Sequence, residues 1–439
     1  MLIPPPFFIL LACLVFSSLS VQAAEQNEWQ QWQSEASSAY QAGNYDAAEA
    51  AIRKAITRAE KADNGDIYKA SSLNLLAFIQ EKKGQPEQAM ASLSNAVTLA
   101  KKASASPDEQ LATLLFNQGV LLQKNHQLNK ADSVLGESIE QFQLSQSDGN
   151  GKMWQAILLK TQILISLGNQ QQALHLVSTT LSDSMDKTGA QLPLSIESDL
   201  VISAANIQLK EGQYYQAITS LEQMKKKLNG ESKLTAERLP QLLNLLAIAY
   251  DKSGQTDKAA SIRKQSLNAQ NDAPASMATV MQLNELGLYQ QQQNHLEQAA
   301  QYYQQALSQL KLLNKEHSIE QATILGNLGA LQLATHDTKA AESSLSQSLV
   351  IYQSMQERPV EAAGIAGYLG TLYYNKRQFA KAETAFLTAV ENLQKTQSAT
   401  DENLLLALQN IQSLYIAWDK PAKAAQYNQA IQEIKQQLQ

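Results

Sequence analysis

Residues 369–389 read LGTLYYNKRQFAKAETAFLTA. Leu369, Gly370 and Tyr373 stand at helical spacing before a polar stretch, and Ala382, Phe386 and Ala389 stand at helical spacing after it. This is the pattern of two amphipathic helices joined by a turn. The first helix carries a residue with no side chain. The second carries a small residue followed four places later by a large one. Small residues let two helix axes approach, and the large side chain fills the space beside them.

The arrangement recurs along the whole chain. Alanine stands at Ala48, Ala89, Ala131, Ala173, Ala217, Ala259, Ala299, Ala341, Ala382 and Ala424, at steps of 40 to 44 residues. Twelve residues before each lies a second column: Ala36, Ala77, Gly119, Thr161, Ala205, Ala247, Gly287, Gly329, Gly370 and Gln412. Four residues after each alanine lies a bulky residue: Ile52, Leu93, Leu135, Val177, Leu221, Tyr303, Leu345 and Phe386, with Arg263 and Asn428 as departures. Between the columns stand Gly43, Gly84, Gly168, Gly212 and Gly254, where a residue free to take positive φ suits the end of a helix. In the other copies that place holds His126, Asn294, His336, Arg377 and Asp419. No segment shows sustained period-two alternation. The spacing therefore predicts an all-α chain of about ten tandem helix–turn–helix units, starting near 29, 70, 112, 154, 198, 240, 280, 322, 363 and 405.

Composition narrows the function. Of 439 residues, 44% are hydrophobic, enough to bury a core, which excludes wholesale disorder. There are 35 basic and 41 acidic residues, a net charge of −6, and no basic run, so nucleic acid is not an expected partner. The only cysteine is Cys13, which leaves no disulfide framework and no thiolate zinc site.

Phe7 to Phe16 is a ten-residue apolar run, too short to span a bilayer. Val21-Gln22-Ala23 follows it, with the small side chain a signal peptidase requires. The expectation is a signal peptide over 1–23 cleaved after Ala23, a short segment over 24–28, a repeat array over 29–439, and export to the periplasm. One feature departs from the pattern: Met1 to Pro6 contains no Lys or Arg. A rival reading uses Leu10-Leu11-Ala12-Cys13, which resembles a lipobox and would anchor the protein through a lipid on Cys13. No second hydrophobic stretch approaches membrane length, so no transmembrane segment is expected in the mature chain.

The unit resembles the tetratricopeptide repeat, W-x₂-L-G-x₂-Y followed by A-x₃-F-x₂-A over 34 residues. Leu369-Gly370-x₂-Tyr373 with Ala382-x₃-Phe386-x₂-Ala389 carries the likeness best. Leu286-Gly287 with Ala299-x₃-Tyr303-x₂-Ala306 matches next, and Trp32, Ala36 and Tyr40 lead the first copy, with Tyr40 one place late. The likeness covers about 29–439. The period is about eight residues longer than the motif. The place where the motif has its closing proline holds Glu60, Lys101, Gln143, Met185, Asn229, Asn271, Lys311, Gln353, Gln394 and Gln436. Without proline the second helix is expected to run on by about two turns. Breaks then follow at Ser104–Asp108, Ser145–Gly151, Ser182–Pro193, Asn229–Pro240 and Asn271–Pro274. This longer form is similar to the repeats of kinesin light chain and its bacterial relatives. Glu316-His317-Ser318-x₃-Ala322-x₂-Leu325-Gly326-Asn327-Leu328-Gly329 carries that likeness, with Ser318 in place of proline.

The resemblance implies a right-handed superhelical solenoid whose first helices line a concave groove, with places two, five, six, nine and twelve of each unit facing inward. Carried over residue by residue, the groove would hold Asn74, Phe78, Phe116, Asn117, Val120, Leu158, Gln162, Ile202, Asn206, Asn244, Ile248, Asn284, Leu288, Asn327, Tyr368 and Tyr374. An alternative is that some of these apolar side chains pack between units. The family's chaperone-tail binders clamp a terminal carboxylate with lysines at places two and five. No lysine stands at either place here, so no such clamp is expected. Asparagine beside Phe, Ile and Leu suits a peptide, because an amide donates and accepts at once.

Little points to catalysis. Gly364, Gly367 and Gly370 fall three apart on a predicted helix, where close helix packing explains them better than a nucleotide loop, which needs a preceding strand. Gly149-Asn150-Gly151-Lys152 lacks the first glycine and the Ser or Thr of a phosphate loop. His126, His295 and His336 fall at or beside turns, as solvated residues rather than a metal edge, and Gln290 to Gln293 reads as a solvated helical face. No metal or cofactor is expected. The expectation is a non-enzymatic, exported scaffold binding a protein or peptide in its groove. The alternative is an accessory factor in assembling outer-membrane, pilus or polysaccharide machinery, with lipidation of Cys13 favouring that class.

Overall fold

A computed structural model describes residues 23–62, 65–103, 107–149, 151–186, 191–229, 232–269, 274–355, 358–395 and 401–438. Residues 1–22, which include the apolar leader and Cys13, lie outside the described residues. Among the described residues there are α-helices and no strands. They come in pairs: α1 (Ala23–Gln41) and α2 (Tyr45–Ala59), α3 (Gly65–Lys82) and α4 (Pro86–Ala103), α5 (Glu109–Lys124) and α6 (Leu128–Leu144), α7 (Lys152–Ser166) and α8 (Gln170–Asp186), α9 (Leu194–Lys210) and α10 (Tyr214–Leu228). Then follow α11 (Ser232–Lys252) and α12 (Thr256–Ala269), α13 (Met277–Gln292) and α14 (Leu296–Leu312), α15 (Ile319–Ala334) and α16 (Thr338–Met355), α17 (Pro359–Asn375) and α18 (Phe379–Gln394). In the last copy α19 (Asp401–Ala417) is followed by two short helices, α20 (Pro421–Ala425) and α21 (Asn428–Gln437). The chain divides into two compact units, Met1–Ile207 and Gln208–Gln439. Helices α1 to α8 in the first unit and α10 to α20 in the second pack on their neighbours in chain order, the all-α array of helix hairpins that the spacing predicts.

The turn inside each pair has one geometry. Gly43, Gly84, His126, Gly168, Gly212, Gly254, Asn294, His336, Arg377 and Asp419 all have positive φ, from 55° to 79°. In each case the N–H of that residue bonds the carbonyl three back and the next N–H bonds the carbonyl five back, as Arg377→Tyr374 (2.9 Å) and Gln378→Tyr373 (2.9 Å) do. These two bonds satisfy carbonyls that a helix end leaves open. The residue carrying the second N–H then starts the next helix. Its carbonyl accepts from the column alanine four places on, as Gln378 accepts from Ala382 at 3.0 Å. The alanine column is thus pinned at the first closed turn of each second helix, and all ten alanines are buried.

The seam between paired helices is fitted by size. A Cβ on Gly119 would stand 2.5 Å from Leu135 Cγ, one on Gly287 2.5 Å from Tyr303 Cε1, and one on Gly329 2.6 Å from Leu345 Cγ; on Gly370 it would meet the Phe386 ring. The two rings of the bulky column, Tyr303 and Phe386, face glycine, whereas leucine faces either glycine or alanine, as Leu93 does with Ala77. Thr161 is buried and turns its hydroxyl back onto Ile157 O at 2.8 Å, and the bulky place of that pair holds Val177, the smallest apolar residue of its column. Arg263 stays in the bulky column, 6% exposed, with its guanidinium on Asp251. In the last pair both departures meet, since Gln412 donates to Asn428 at 2.6 Å.

The length beyond the motif lies elsewhere than expected. Where the residues beyond them are described, the second helices do not run on by two turns: α2 ends at Ala59, α6 at Leu144, α10 at Leu228, α14 at Leu312 and α18 at Gln394, each within one residue of the proline place. The extra residues form the connections and lengthen the starts of the first helices: α3 begins at Gly65 and α11 at Ser232, ahead of unit starts near 70 and 240. Pro240 therefore lies inside α11 rather than in a break. There it has no N–H to give the Ala236 carbonyl, so α11 runs through a missing hydrogen bond two turns from its start.

Successive pairs are joined by residues in a first helix, or just after it, reaching back to the preceding second helix. In the first unit Lys83 bonds Asp46 (2.6 Å) and Glu49 (2.7 Å). In the second, Tyr250 bonds Glu222 (3.1 Å), Tyr373 bonds Glu342 (3.1 Å) and Tyr415 bonds Glu383 (2.7 Å). Lys376 adds to Glu342 at 2.9 Å, and Lys423 to Glu383 at 2.7 Å. The Lys376 bond, with the Tyr373 hydroxyl, holds the Glu342 carboxyl below its ordinary value. Lys423, then Tyr415, does the same to Glu383. Burial, with Glu222 beside it, pushes the Tyr250 phenol up to about 12.

Three outcomes follow. Gly370→Ala is expected to cost about 1–3 kcal/mol by overpacking against Phe386, and Phe386→Leu in the same chain to recover most of it, as urea unfolding would show. Arg377→Gly is expected to raise stability by about 0.5–1 kcal/mol, the relief of a left-handed backbone less the freedom glycine gains when unfolded. Carboxylates held low stabilise above their unfolded value, near 4.5, and lose that contribution as pH falls through the folded value. Urea midpoints are therefore expected to drop from about pH 5 downward, and Glu383→Gln to lower the midpoint at neutral pH while flattening that drop.

Candidate partner-binding face

First helices of neighbouring pairs touch: α1 meets α3 and α5 meets α7 in the first unit, and α13, α15, α17 and α19 meet in succession in the second. No comparable contact joins neighbouring second helices among the described residues. Rows that touch on one side and spread on the other curve toward the touching side. The first helices thus form the inner face of each unit.

Hydrogen bonds run along this face. In the first unit Trp29 Nε1 donates to Ser72 Oγ (2.9 Å), Ser72 donates to Gln33 (2.9 Å), and Asn117 Nδ2 donates to Asn74 Oδ1 (2.9 Å). In the second unit Asn327 Nδ2 donates to Asn284 Oδ1 at 3.0 Å, and Gln282 reaches Asn244 at 3.5 Å. Asn74, Asn117, Asn284 and Asn327 are half-buried. An amide carries two donors and an acceptor with two lone pairs, so each pairing uses one side of each amide and leaves the other side for a second partner.

Around the amides the inner places differ in what they offer. Phe78, Phe116, Leu158, Ile248 and Leu288 are half-buried, and Phe78, Phe116, Leu158 and Leu288 pack against the cores beneath them. Gln162 and Asn206 are exposed, and Asn206 turns its amide back to Ile202 O at 2.9 Å. Val120 and Ile202 are core residues, 8% and 5% exposed, and present no surface. Burying such a side chain is worth about 1.5–3 kcal/mol, so an apolar residue goes into a seam where the seam admits it. Tyr374 is half-buried, its ring 6.2 Å from Phe379, which lies 5.8 Å from Trp418. Tyr368 is 47% exposed.

Three inner residues escaped the selection from sequence: Met281, Leu406 and Ile416, at 59%, 58% and 66% exposure. They stand at places two, two and twelve of their copies, so the same rule of places would have found them. The three glycines of α17 also divide. Gly370 packs as expected, but a Cβ on Gly364 or Gly367 would meet nothing within 4 Å. Those two glycines face open space on the inner side, and helix packing does not account for them.

His126 and His336 occupy left-handed turns, and His295 Nδ1 is 2.8 Å from Gln290 Oε1. Gln290 is consequently buried, unlike Gln292 and Gln293 beside it, which are exposed. Among the described residues no group of three or more His, Cys, Asp or Glu is placed to hold a metal ion, and no helix is long and apolar enough to cross a membrane.

Residues 32–61 and 70–102, the first two helix pairs, match the family model of the tetratricopeptide repeat. No curated protein matches the sequence. Among solved structures the chain is similar to the apo form of RapI, at 12% identity and a TM-score of 0.51, over 84% of this chain and 98% of that one. It also aligns with BtubC (BKLC) from P. vanneervenii, at 18% identity and a TM-score of 0.43 over 55% and 92% of the two chains. PilF of Pseudomonas aeruginosa aligns at 17% identity and a TM-score of 0.39 over 61% and 99%. At these identities the likeness to RapI speaks to the fold alone.

Proposed function

We propose that this chain, a tetratricopeptide-repeat protein, is a non-enzymatic exported scaffold that captures a protein or peptide segment on the inner face of its first helices. Tetratricopeptide repeats point to a protein-interaction scaffold. The observation that carries the inner face is the pairing of Asn74 with Asn117 and of Asn284 with Asn327. A bonded amide is held in one orientation, so its unused donor and acceptor are presented without further ordering cost. An extended segment laid across such amides satisfies its own backbone groups there and sets its side chains against Phe78, Phe116 or Leu288. Export rests on the apolar run over Phe7–Phe16 and on Val21-Gln22-Ala23.

The test is capture of partners from an envelope fraction by the purified protein and by Asn74→Ala/Asn117→Ala. Removing both amides together leaves neither orphaned, so stability is expected to change by less than about 1 kcal/mol. Partners identified by mass spectrometry are expected to bind the double variant about ten-fold more weakly. The same proteins recovered at the same strength would remove the inner face from consideration. Export is checked on the protein recovered from cells. An N-terminus at Ala24 supports cleavage after Ala23, and acyl labelling lost in Cys13→Ser supports a lipid anchor instead.

A further inference from the structure

The charges of α2 are sorted by side. Glu49 and Glu60 turn toward the following hairpin, where Lys83 meets Glu49 (2.7 Å) and Lys69 meets Glu60 (2.5 Å). Lys54, Arg58 and Lys61 stand on the other side, at i, i+4 and i+7. With Arg53, Thr57 and Trp32 of α1 they line an open pocket of about 350 Å³ whose walls hold four cations and no acid. Two of the cations are engaged at its rim. Arg53 gives Nε and Nη2 to Glu49 (3.0 and 2.6 Å), and Arg58 gives Nε to Glu28 (3.1 Å). Glu49 is shared with Lys83, and Arg53 Nη1 has no partner among the described residues. Lys54 and Lys61 are exposed and meet no carboxylate among the described residues. The Lys54 ammonium lies instead 4.0 Å from the centre of the Trp32 ring. Trp32 stands at place four of its copy. The residues at that place in the other copies, from Leu73 to Leu408, are buried, whereas Trp32 is half-buried and forms a wall of the pocket.

We propose that this pocket binds a phosphomonoester, with the phosphate held by Lys54, Lys61 and Arg53 Nη1 and its organic part against Trp32. Charge selects an anion. Four lining cations against the two described carboxylates that touch them, Glu28 and Glu49, leave an excess of two, in a chain whose net charge is −6. A phosphomonoester carries about −1.5 to −2 near neutral pH and matches that excess, where a single carboxylate matches half of it. The donors select the phosphate. Its three terminal oxygens accept from several sides at once, from a guanidinium fork and from ammonium groups as point charges. The helix end does not account for the cluster. Cations at the end of a helix offset the partial negative charge there, which covers Arg58 and Lys61, but Arg53 and Lys54 stand a turn earlier, beyond that effect. Lys54 and Arg58, at i and i+4, repel each other, a cost that a bound anion removes. The volume sits at the small end of ligand sites, so the part that enters is a phosphate with a group of about the size of glycerol or a sugar. Trp32 is at none of the inner places and the other lining residues are on or just after a second helix, so the site does not depend on the inner face as the binding side.

The experiment uses the protein as recovered from cells, in two arms. Titration calorimetry at low salt measures binding of glycerol 3-phosphate, inorganic phosphate and succinate, a dicarboxylate. Cosedimentation measures binding to phosphatidylcholine vesicles with and without phosphatidic acid, whose headgroup is a phosphomonoester. Glycerol 3-phosphate is expected to bind about ten-fold more tightly than succinate. Lys54→Gln/Lys61→Gln is expected to lose about ten-fold in affinity with no fall in melting temperature, since both side chains are exposed and neither holds a carboxylate. Lys130→Gln/Lys395→Gln removes the same charge from exposed positions elsewhere and is expected to bind as the parent does. Binding of glycerol 3-phosphate without cosedimentation assigns the site to a soluble phosphomonoester. Cosedimentation that requires phosphatidic acid and is lost in Lys54→Gln/Lys61→Gln assigns it to a lipid headgroup. Either result supports the site. Equal affinity for succinate overturns the phosphate. No binding in either arm overturns the pocket, and so does binding that Lys54→Gln/Lys61→Gln leaves intact or that Lys130→Gln/Lys395→Gln weakens as much.

Discussion

The structure depends on how closely the two helices of a pair approach. A missing or minimal side chain on the first helix, an alanine at the first closed turn of the second, and one large side chain four residues later fix that distance. The three places are coupled by volume. Glycine faces Leu135, Tyr303, Leu345 or Phe386, while threonine shares its pair with Val177. A hairpin so fixed exposes an apolar flank on either side, and stacking on the next hairpin covers it. Stability is then a sum of hairpin and neighbour terms. The reach of Lys83, Tyr373 or Tyr415 back to an acid on the preceding second helix aligns each hairpin on the last.

Function follows from the same geometry. Because the first helices are the ones that touch, their outward places converge, and a residue at one place in each copy becomes part of a row. The rows are not uniform. Paired amides join α3 to α5 and α13 to α15, and α17 is bare at Gly364 and Gly367. A repeated scaffold thereby carries regions of different chemistry without a change of backbone.

The fold was legible in the sequence because its determinants are local and repeated. The left-handed turn could be placed even where Arg377 or Asp419 stands in it, since the columns on either side fix its position. What could not be read were quantities set by neighbours. The absent proline suggested longer second helices, but the length went to the connections and to first-helix starts such as Gly65 and Ser232. Among inner residues, Val120 and Ile202 read like their neighbours and are buried, because whether a branched side chain enters a seam depends on the helix beside it. Met281, Leu406 and Ile416 obeyed the rule of places and were overlooked, since an apolar residue on an amphipathic helix reads first as core.

The turn inside each hairpin also bears on how such a molecule changes over generations. Its hydrogen bonds come entirely from main-chain atoms, so the side chain at its left-handed position holds nothing together. Glycine, histidine, asparagine, arginine and aspartate all occupy it here, each non-glycine at a cost of about 1–2 kcal/mol or less. The edge of the array that carries these loops is therefore where copies can diverge in charge and shape while the seams stay intact. Duplicated units can acquire separate identities there first, before any packed residue has to move.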